Sequence, residues 1–112
     1  MKDCIFCRIT SRDIPADIIY EDEDHIAFRD IHPAAPLHAV LVPRRHCETL
    51  VHMTDATEHG KLILAAIATA RALDIEKTGY RLVANYGPDG GQEVMHVHWH
   101  ILGGRILGWP PG

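Results

Sequence analysis

The chain has no run of basic residues, and its 11 lysines and arginines are outnumbered by 15 aspartates and glutamates, a formal charge of −4. A protein that holds nucleic acid or an anionic membrane surface by charge needs the opposite balance, so neither is an expected partner. The longest apolar stretch, Leu62 to Ala70, is broken by Thr69 and falls far short of the roughly 20 residues a membrane span requires. Three cysteines are an odd count, which suits a reduced chain better than a disulfide scaffold. There is no internal repeat, linker or low-complexity segment. The opening residues, Met1-Lys2-Asp3-Cys4-Ile5-Phe6-Cys7, show no charged leader followed by an apolar run, and a cytoplasmic location is expected. At 112 residues the whole of 1–112 is expected to form a single domain, large enough for one core and too small for two.

Histidine is what the chain has in excess, nine of its 112 residues. Imidazoles switch protonation near neutrality and bind metals, so this number asks for a site rather than a core.

Along the chain, Ile18-Ile19-Tyr20, an acidic turn at Glu21 to Asp24, and His25 to Phe28 predict an antiparallel hairpin. Leu37 to Val42 predicts a third strand stopped by Pro43, and Glu48 to Met53 a short helical turn. Thr54-Asp55 offers an N-cap with Glu58 as capping-box partner. Leu62, Ala66, Ile67, Ala70 and Leu73 follow at helical spacing, and Gly79 suits the stop. Tyr80 to Asn85 predicts a strand, Tyr86 to Gln92 a glycine-rich loop, Val94 to Leu102 the last strand, and 103–112 an extended tail. Mostly strands around one long helix predict an α+β fold with an antiparallel sheet.

The strongest signal is His96-Val97-His98-Trp99-His100-Ile101-Leu102. With a period of two, His96, His98 and His100 share one face, expected to be accessible, and Val97, Trp99 and Ile101 pack on the helix. Same-face neighbours lie about 6.7 Å apart and the outer pair about 13 Å. One zinc with nitrogen ligands about 2.0 Å away therefore takes two neighbours but not easily all three. At least one imidazole is left free, and a neutral imidazole is a nucleophile and proton carrier near pH 7. A row of imidazoles beside a glycine loop suits a phosphate.

This pattern resembles the signature of the histidine-triad (HIT) superfamily. Gly103-Gly104-Arg105 and Trp109-Pro110-Pro111-Gly112 resemble the C-terminus of its Hint branch, the purine-nucleotide-binding members. Ile14-Pro15-Ala16, Phe28-Arg29-Asp30-Ile31, Ala35-Pro36-Leu37-His38 and Asn85-x-Gly87-x-Asp89-Gly90-Gly91-Gln92 fit the same branch. The resemblance implies an antiparallel meander sheet of about five strands with one long and one short helix. It also implies a two-fold homodimer with the long helix at the interface and the tail, anchored by Trp109, near the partner's site.

It further implies a purine nucleoside phosphoramidase that forms a nucleotidyl intermediate on His98, one ring nitrogen attacking while the other donates to a backbone carbonyl of the same strand. His100 would hold phosphate oxygens and assist proton transfer, and His38 would support it. Asn85 and the loop through Gly91 and Gln92 would supply phosphate contacts, and Glu93 and Val94 would also bind substrate. Asp30 would bind the ribose, and Phe6, Ile14, Phe28, Ile31 and Val40 would form the purine slot. Glu93 departs from the pattern, because many relatives carry serine there. An ionised carboxylate repels phosphate unless it turns toward a basic leaving amine, and we expect it to shift preference toward cationic amines. Leu37 and Met95 stand where some relatives have threonine and tyrosine.

Cys4 and Cys7 with His46 and His96 make a Cys₂His₂ set that some relatives carry, expected to hold one structural zinc away from the attacking nitrogen. Three alternatives remain open: a redox pair, two unligated core cysteines, and His52 in place of His46. Cys47 reads as a bystander, and His25, His32, His52 and His59 as surface. Two other functions also stay open: hydrolysis of dinucleoside polyphosphates or nucleotidyl transfer, and a non-catalytic purine-nucleotide-binding regulatory module.

Overall fold

Strand β3 (Leu37–Pro43) runs through the middle of the sheet, and its sequence shows why. Leu-His-Ala-Val-Leu-Val is apolar at almost every position, as expected of a strand covered on both faces. Ala39 and Leu41 point to one hydrophobic cluster, and Val40 and Val42 to another on the opposite face. The computed structural model describes residues 3–112. Around β3 lie α1 (Ile5–Thr10), β1 (Ile18–Glu21), β2 (His25–Arg29), α2 (Ala56–Ala72), β4 (Tyr80–Ala84) and β5 (Trp99–Gly103). The fold is α+β, with a five-stranded sheet in the order β1-β2-β3-β5-β4. Every neighbouring pair is antiparallel. Among the described residues no helix is long and apolar enough to cross a membrane.

The sheet is not the simple meander expected. After β3 the chain crosses over through α2, β4 forms the far edge, and β5 returns into the gap between β3 and β4. That return places the histidine strand in the centre, flanked by His38 and Val40 of β3 and by β4.

Helix α2 covers one face, burying Leu62, Ala65, Ala66, Thr69 and Ala70 against Ala27, Ala39, Leu41, Val97 and Ile101. Alanines on both sides let helix and sheet approach closely. Ile67, expected in this stripe, is only half-buried. Asp55 is the N-cap, its Oδ1 accepting from the Thr57 amide at 2.8 Å. Glu58 does not close a capping box; it pairs with Arg45 at 2.7 Å. The helix ends at Ala72 with Leu73 as its C-cap, and Asp74 just beyond takes the left-handed conformation (φ 58°), five residues before Gly79. Aspartate tolerates that region better than most residues.

The other face is covered by α1, where Phe6 and Ile9 meet Ile26, Phe28, Val40 and Val42. This is the short helix. Glu48 to Met53, where a short helical turn was expected, holds a single turn in which the His52 and Met53 amides donate to the Thr49 carbonyl. Strand β5 also begins later than expected, at Trp99, so His96 lies in a bend and His98 immediately ahead of the strand.

Replacing Asp55 by alanine removes the cap and is expected to cost about 1 kcal/mol. Glu58→Ala breaks only a surface pair and should cost less than about 0.5 kcal/mol. Urea denaturation of both variants checks this, and equal losses would contradict the assignment.

Candidate active site

The segment from His96 to Leu102 sends Val97 and Ile101 toward α2 and turns the three imidazoles the other way. They are not the accessible row expected. His96 is fully buried and His98 is 8% exposed. Phe6 packs edge-on against both rings.

Each buried imidazole has one nitrogen committed to a fixed partner. A carbonyl oxygen only accepts, so His98 Nδ1–H donates to the His96 carbonyl at 2.7 Å, leaving Nε2 as a lone pair. His96 Nε2–H donates to the Pro43 carbonyl at 2.8 Å, leaving its Nδ1 unprotonated. An amide only donates, so the Ala34 N–H, 3.0 Å from His38 Nδ1, puts the His38 proton on Nε2. That proton points to His100 Nδ1 at 2.8 Å, with an Asp30 carboxylate oxygen 3.4 Å away. His100 therefore accepts on Nδ1 and carries its own proton on Nε2.

Burial also keeps these rings neutral. It pushes the His100 and His96 pKa down to about 4, with neighbouring imidazoles adding to the effect. Burial lowers His98 and His38 as well, opposed at His38 by the Asp30 carboxylate.

His98 and His100 line a cavity of about 440 Å³, within the range typical of small-molecule sites. Its apolar wall comes from Phe6, Ile14, Phe28, Ile31 and Val40, with Asp30 beside them. Asn85, Gly91, Glu93 and Val94 also line the cavity, Val94 packed against the same apolar cluster as Phe6 and Val40. Asn85 follows Ala84, which pairs with Trp99, so it stands beside His98 across the sheet. Its Nδ2 donates to the Gly90 carbonyl at 2.6 Å. A Cβ at residue 90 would lie 2.1 Å from the Tyr86 carbonyl oxygen, so this turn closes only with glycine.

One expected binding residue is elsewhere. Gln92 does not line the cavity; its Nε2 donates to the carbonyls of Glu48 and Val94, tying the loop down. Sequence reasoning missed six residues of the lining: Ile5, Ile9, Pro15, Ala16, Asp17 and Arg29. The spacing of Phe6 and Ile9 behind Cys4 was the available signal for α1. Arg29 is paired with Asp17 at 3.0 Å.

Beyond Phe6 a second cluster gathers Cys4, Cys7, His46 and His96, whose donor atoms all lie within 4.8 Å of one another. His96 Nδ1 is 3.3 Å from Cys4 Sγ, 3.5 Å from Cys7 Sγ and 3.2 Å from His46 Nδ1, and the latter is 3.2 Å from Cys7 Sγ. A tetrahedral zinc with bonds of about 2.3 Å to sulfur and 2.0 Å to nitrogen sets nitrogen–nitrogen pairs about 3.3 Å apart, nitrogen–sulfur pairs about 3.5 Å and the sulfur pair about 3.8 Å. The donor set and its spacing fit that ion. The Pro43 carbonyl holds His96 in the tautomer a metal needs. His52 turns to Thr49 instead, and Cys47 is buried beside the Thr49 carbonyl. His25 is not on the surface; it is buried and held by Asp22.

The HIT domain model matches residues 11–107. An uncharacterized HIT-like protein of Synechococcus elongatus is 46% identical over 99% of this chain and 98% of its own. Protein HitA of Neisseria gonorrhoeae is 44% identical over 92% of this chain and 97% of its own. Among solved structures, a HIT family hydrolase from Legionella pneumophila superposes with a TM-score of 0.93 at 42% identity, covering 98% of this chain and all of that one. A histidine triad protein from Clostridium difficile gives 0.91 at 38% identity, over 96% of each chain. The chain belongs to the HIT family.

Holding His100 neutral has a consequence for stability. Its pKa is about 4 in the folded chain against 6.5 when free. Between those values the unfolded chain binds a proton that the folded chain does not. Stability is therefore unaffected by this group above pH 6.5 and falls as pH drops toward 4. Urea midpoints across this range should decline less steeply in His100→Gln; an unchanged slope would contradict the assignment.

Proposed function

We propose that the protein is a purine nucleotide hydrolase that cleaves the P–N bond of nucleoside phosphoramidates. The observation that carries this reading is the paired arrangement of two neutral imidazoles in one cavity, His98 with a free Nε2 lone pair and His100 with an Nε2–H. The first is a nucleophile, and the second is a donor for phosphoryl oxygens. The HIT family hydrolase from Legionella pneumophila supports the hydrolase class.

In this reading the base enters the wall of Phe6, Ile14, Phe28, Ile31 and Val40, and Asp30 accepts from the ribose hydroxyls. His98 Nε2 attacks phosphorus, the P–N bond breaks, and the amine leaves after taking a proton from solvent at the cavity mouth. The positive charge that develops on His98 is shared with the His96 carbonyl through Nδ1–H. Water then attacks phosphorus, gives its proton to solvent and frees His98 Nε2. The net reaction is phosphoramidate plus water to nucleoside monophosphate plus amine. His38 fixes the orientation of His100 throughout. Glu93, exposed at the cavity wall, forms no hydrogen bond or ion pair among the described residues. It is the group free to meet a cationic leaving amine.

Cys4, Cys7, His46 and His96 would hold one zinc ion, which would supply structural cross-linking and no part of the chemistry. We also assign a two-fold homodimer as the working unit. Leu64 on α2, Ile106 and Trp109 are large apolar side chains left 67%, 93% and 83% exposed, and such surface favours a partner.

Mixing the protein with an adenosine phosphoramidate and following released amine tests this. His98→Ala should lose at least about a thousandfold in kcat; equal turnover would overturn the mechanism. Glu93→Ser should reduce any preference for a cationic over a neutral amine by about fivefold, the upper size of an exposed ion pair. An unchanged substrate profile would remove Glu93 from specificity.

A further inference from the structure

The cysteine–histidine cluster and the cavity are not separate. His96, a member of the cluster, does not itself line the cavity but holds His98, which does. The His96 ring Nδ1 faces Cys4, Cys7 and His46, and its Nε2–H is fixed on the Pro43 carbonyl. Its own carbonyl receives the His98 Nδ1–H at 2.7 Å. Whatever holds the His96 ring therefore also aims the carbonyl that sets the His98 tautomer.

A second connection runs through α1. Phe6 lies between Cys4 and Cys7 in a helix of six residues. Its ring centroid is 5.9 Å from His96, 5.0 Å from His98 and 5.6 Å from Phe28, and it lines the cavity. A helix this short has little stability of its own. Its fixed points are the burial of Phe6 and Ile9 and the Cys4 cap on the Cys7 amide, at 3.4 Å. An ion bonded to Cys4 and Cys7 on one side and to His46 and His96 on the other would clamp α1 against the segment that feeds β5.

We propose that His96 and Phe6 are positioning residues for His98 and the base-binding wall, and that a divalent metal in the Cys4/Cys7/His46/His96 cluster is coupled through them to nucleotide binding. This rests on the metal and nucleotide readings given above. The physical basis is preorganisation: a cavity whose wall and nucleophile are already held spends less binding energy on ordering them. Such coupling is reciprocal. If the metal tightens nucleotide binding by some factor, nucleotide tightens metal binding by the same factor. A metal that only stabilises the fold, without touching the cavity, leaves nucleotide and metal affinities independent.

The experiment uses the full chain, zinc-loaded and metal-free, with adenosine monophosphate as the probe. Calorimetry gives nucleotide affinity in each form, and competition with a chromophoric chelator gives zinc affinity with and without nucleotide. The expected result is a change of about tenfold in both, within the usual span of coupling between sites. In Phe6→Leu, zinc still binds and the coupling factor falls toward one. Where metal removal unfolds the chain, the rate of zinc loss from the loaded protein decides: nucleotide slows it in the wild type and not in Phe6→Leu. Zinc bound with equal nucleotide affinity in both forms, or zinc loss indifferent to nucleotide, overturns the coupling alone. A chain that takes up no zinc, or binds no nucleotide in either form, overturns the corresponding reading above and the coupling with it.

Discussion

The hydrogen bond from His98 Nδ1–H to the His96 carbonyl, 2.7 Å long, determines what the cavity can do. An imidazole offers one lone pair and one N–H, and their exchange turns a nucleophile into a donor. Here the backbone makes the choice. A carbonyl takes the Nδ1 proton of His98, another takes the Nε2 proton of His96, and the Ala34 amide occupies His38 Nδ1 and so passes a donor on to His100. Three backbone groups thereby set four rings. Burial completes the arrangement by disfavouring the imidazolium, so the rings stay neutral where a phosphate would need both an attacking lone pair and a donating N–H.

This places a demand on the fold. Backbone partners must be fixed to a few tenths of an ångström, and the centre of a sheet packed on both faces provides that. β3 supplies His38 from one side of β5, and β4 brings Asn85 next to His98 from the other. α2 presses on the far face through Val97 and Ile101, and Phe6 of α1 closes the near one. The net negative charge of the chain is compatible with an anion site under these terms. The cavity's one arginine, Arg29, is already paired with Asp17, so attraction for phosphate must come from N–H groups at short range.

Legibility in the sequence followed the range of the interactions. The alternation His96-Val97-His98-Trp99-His100 is local, and it correctly separated the imidazole face from the helix-packed face. The apolar stripe of α2 and the β1–β2 hairpin are local as well and were found. α1 was not, because six residues with two buried apolar side chains make no periodicity that stands out from a strand or loop. The sheet order escaped because pairing β5 between β3 and β4 is a choice between distant partners that no short window records. The Ala34 amide behind His38 left no trace, since any residue but proline carries the same N–H. Gln92 was misplaced for a related reason. Loop glycines suggested phosphate contacts, yet the amide side chain is spent on the Glu48 carbonyl, 44 residues away in sequence.

The central claim is the placement of protons on the buried rings, and nitrogen NMR of the imidazoles in uniformly labelled protein at neutral pH measures it directly. The account predicts His98 protonated on Nδ1 with Nε2 bare, and His38 and His100 protonated on Nε2. A His98 ring protonated on Nε2, or one averaging between tautomers, would contradict it.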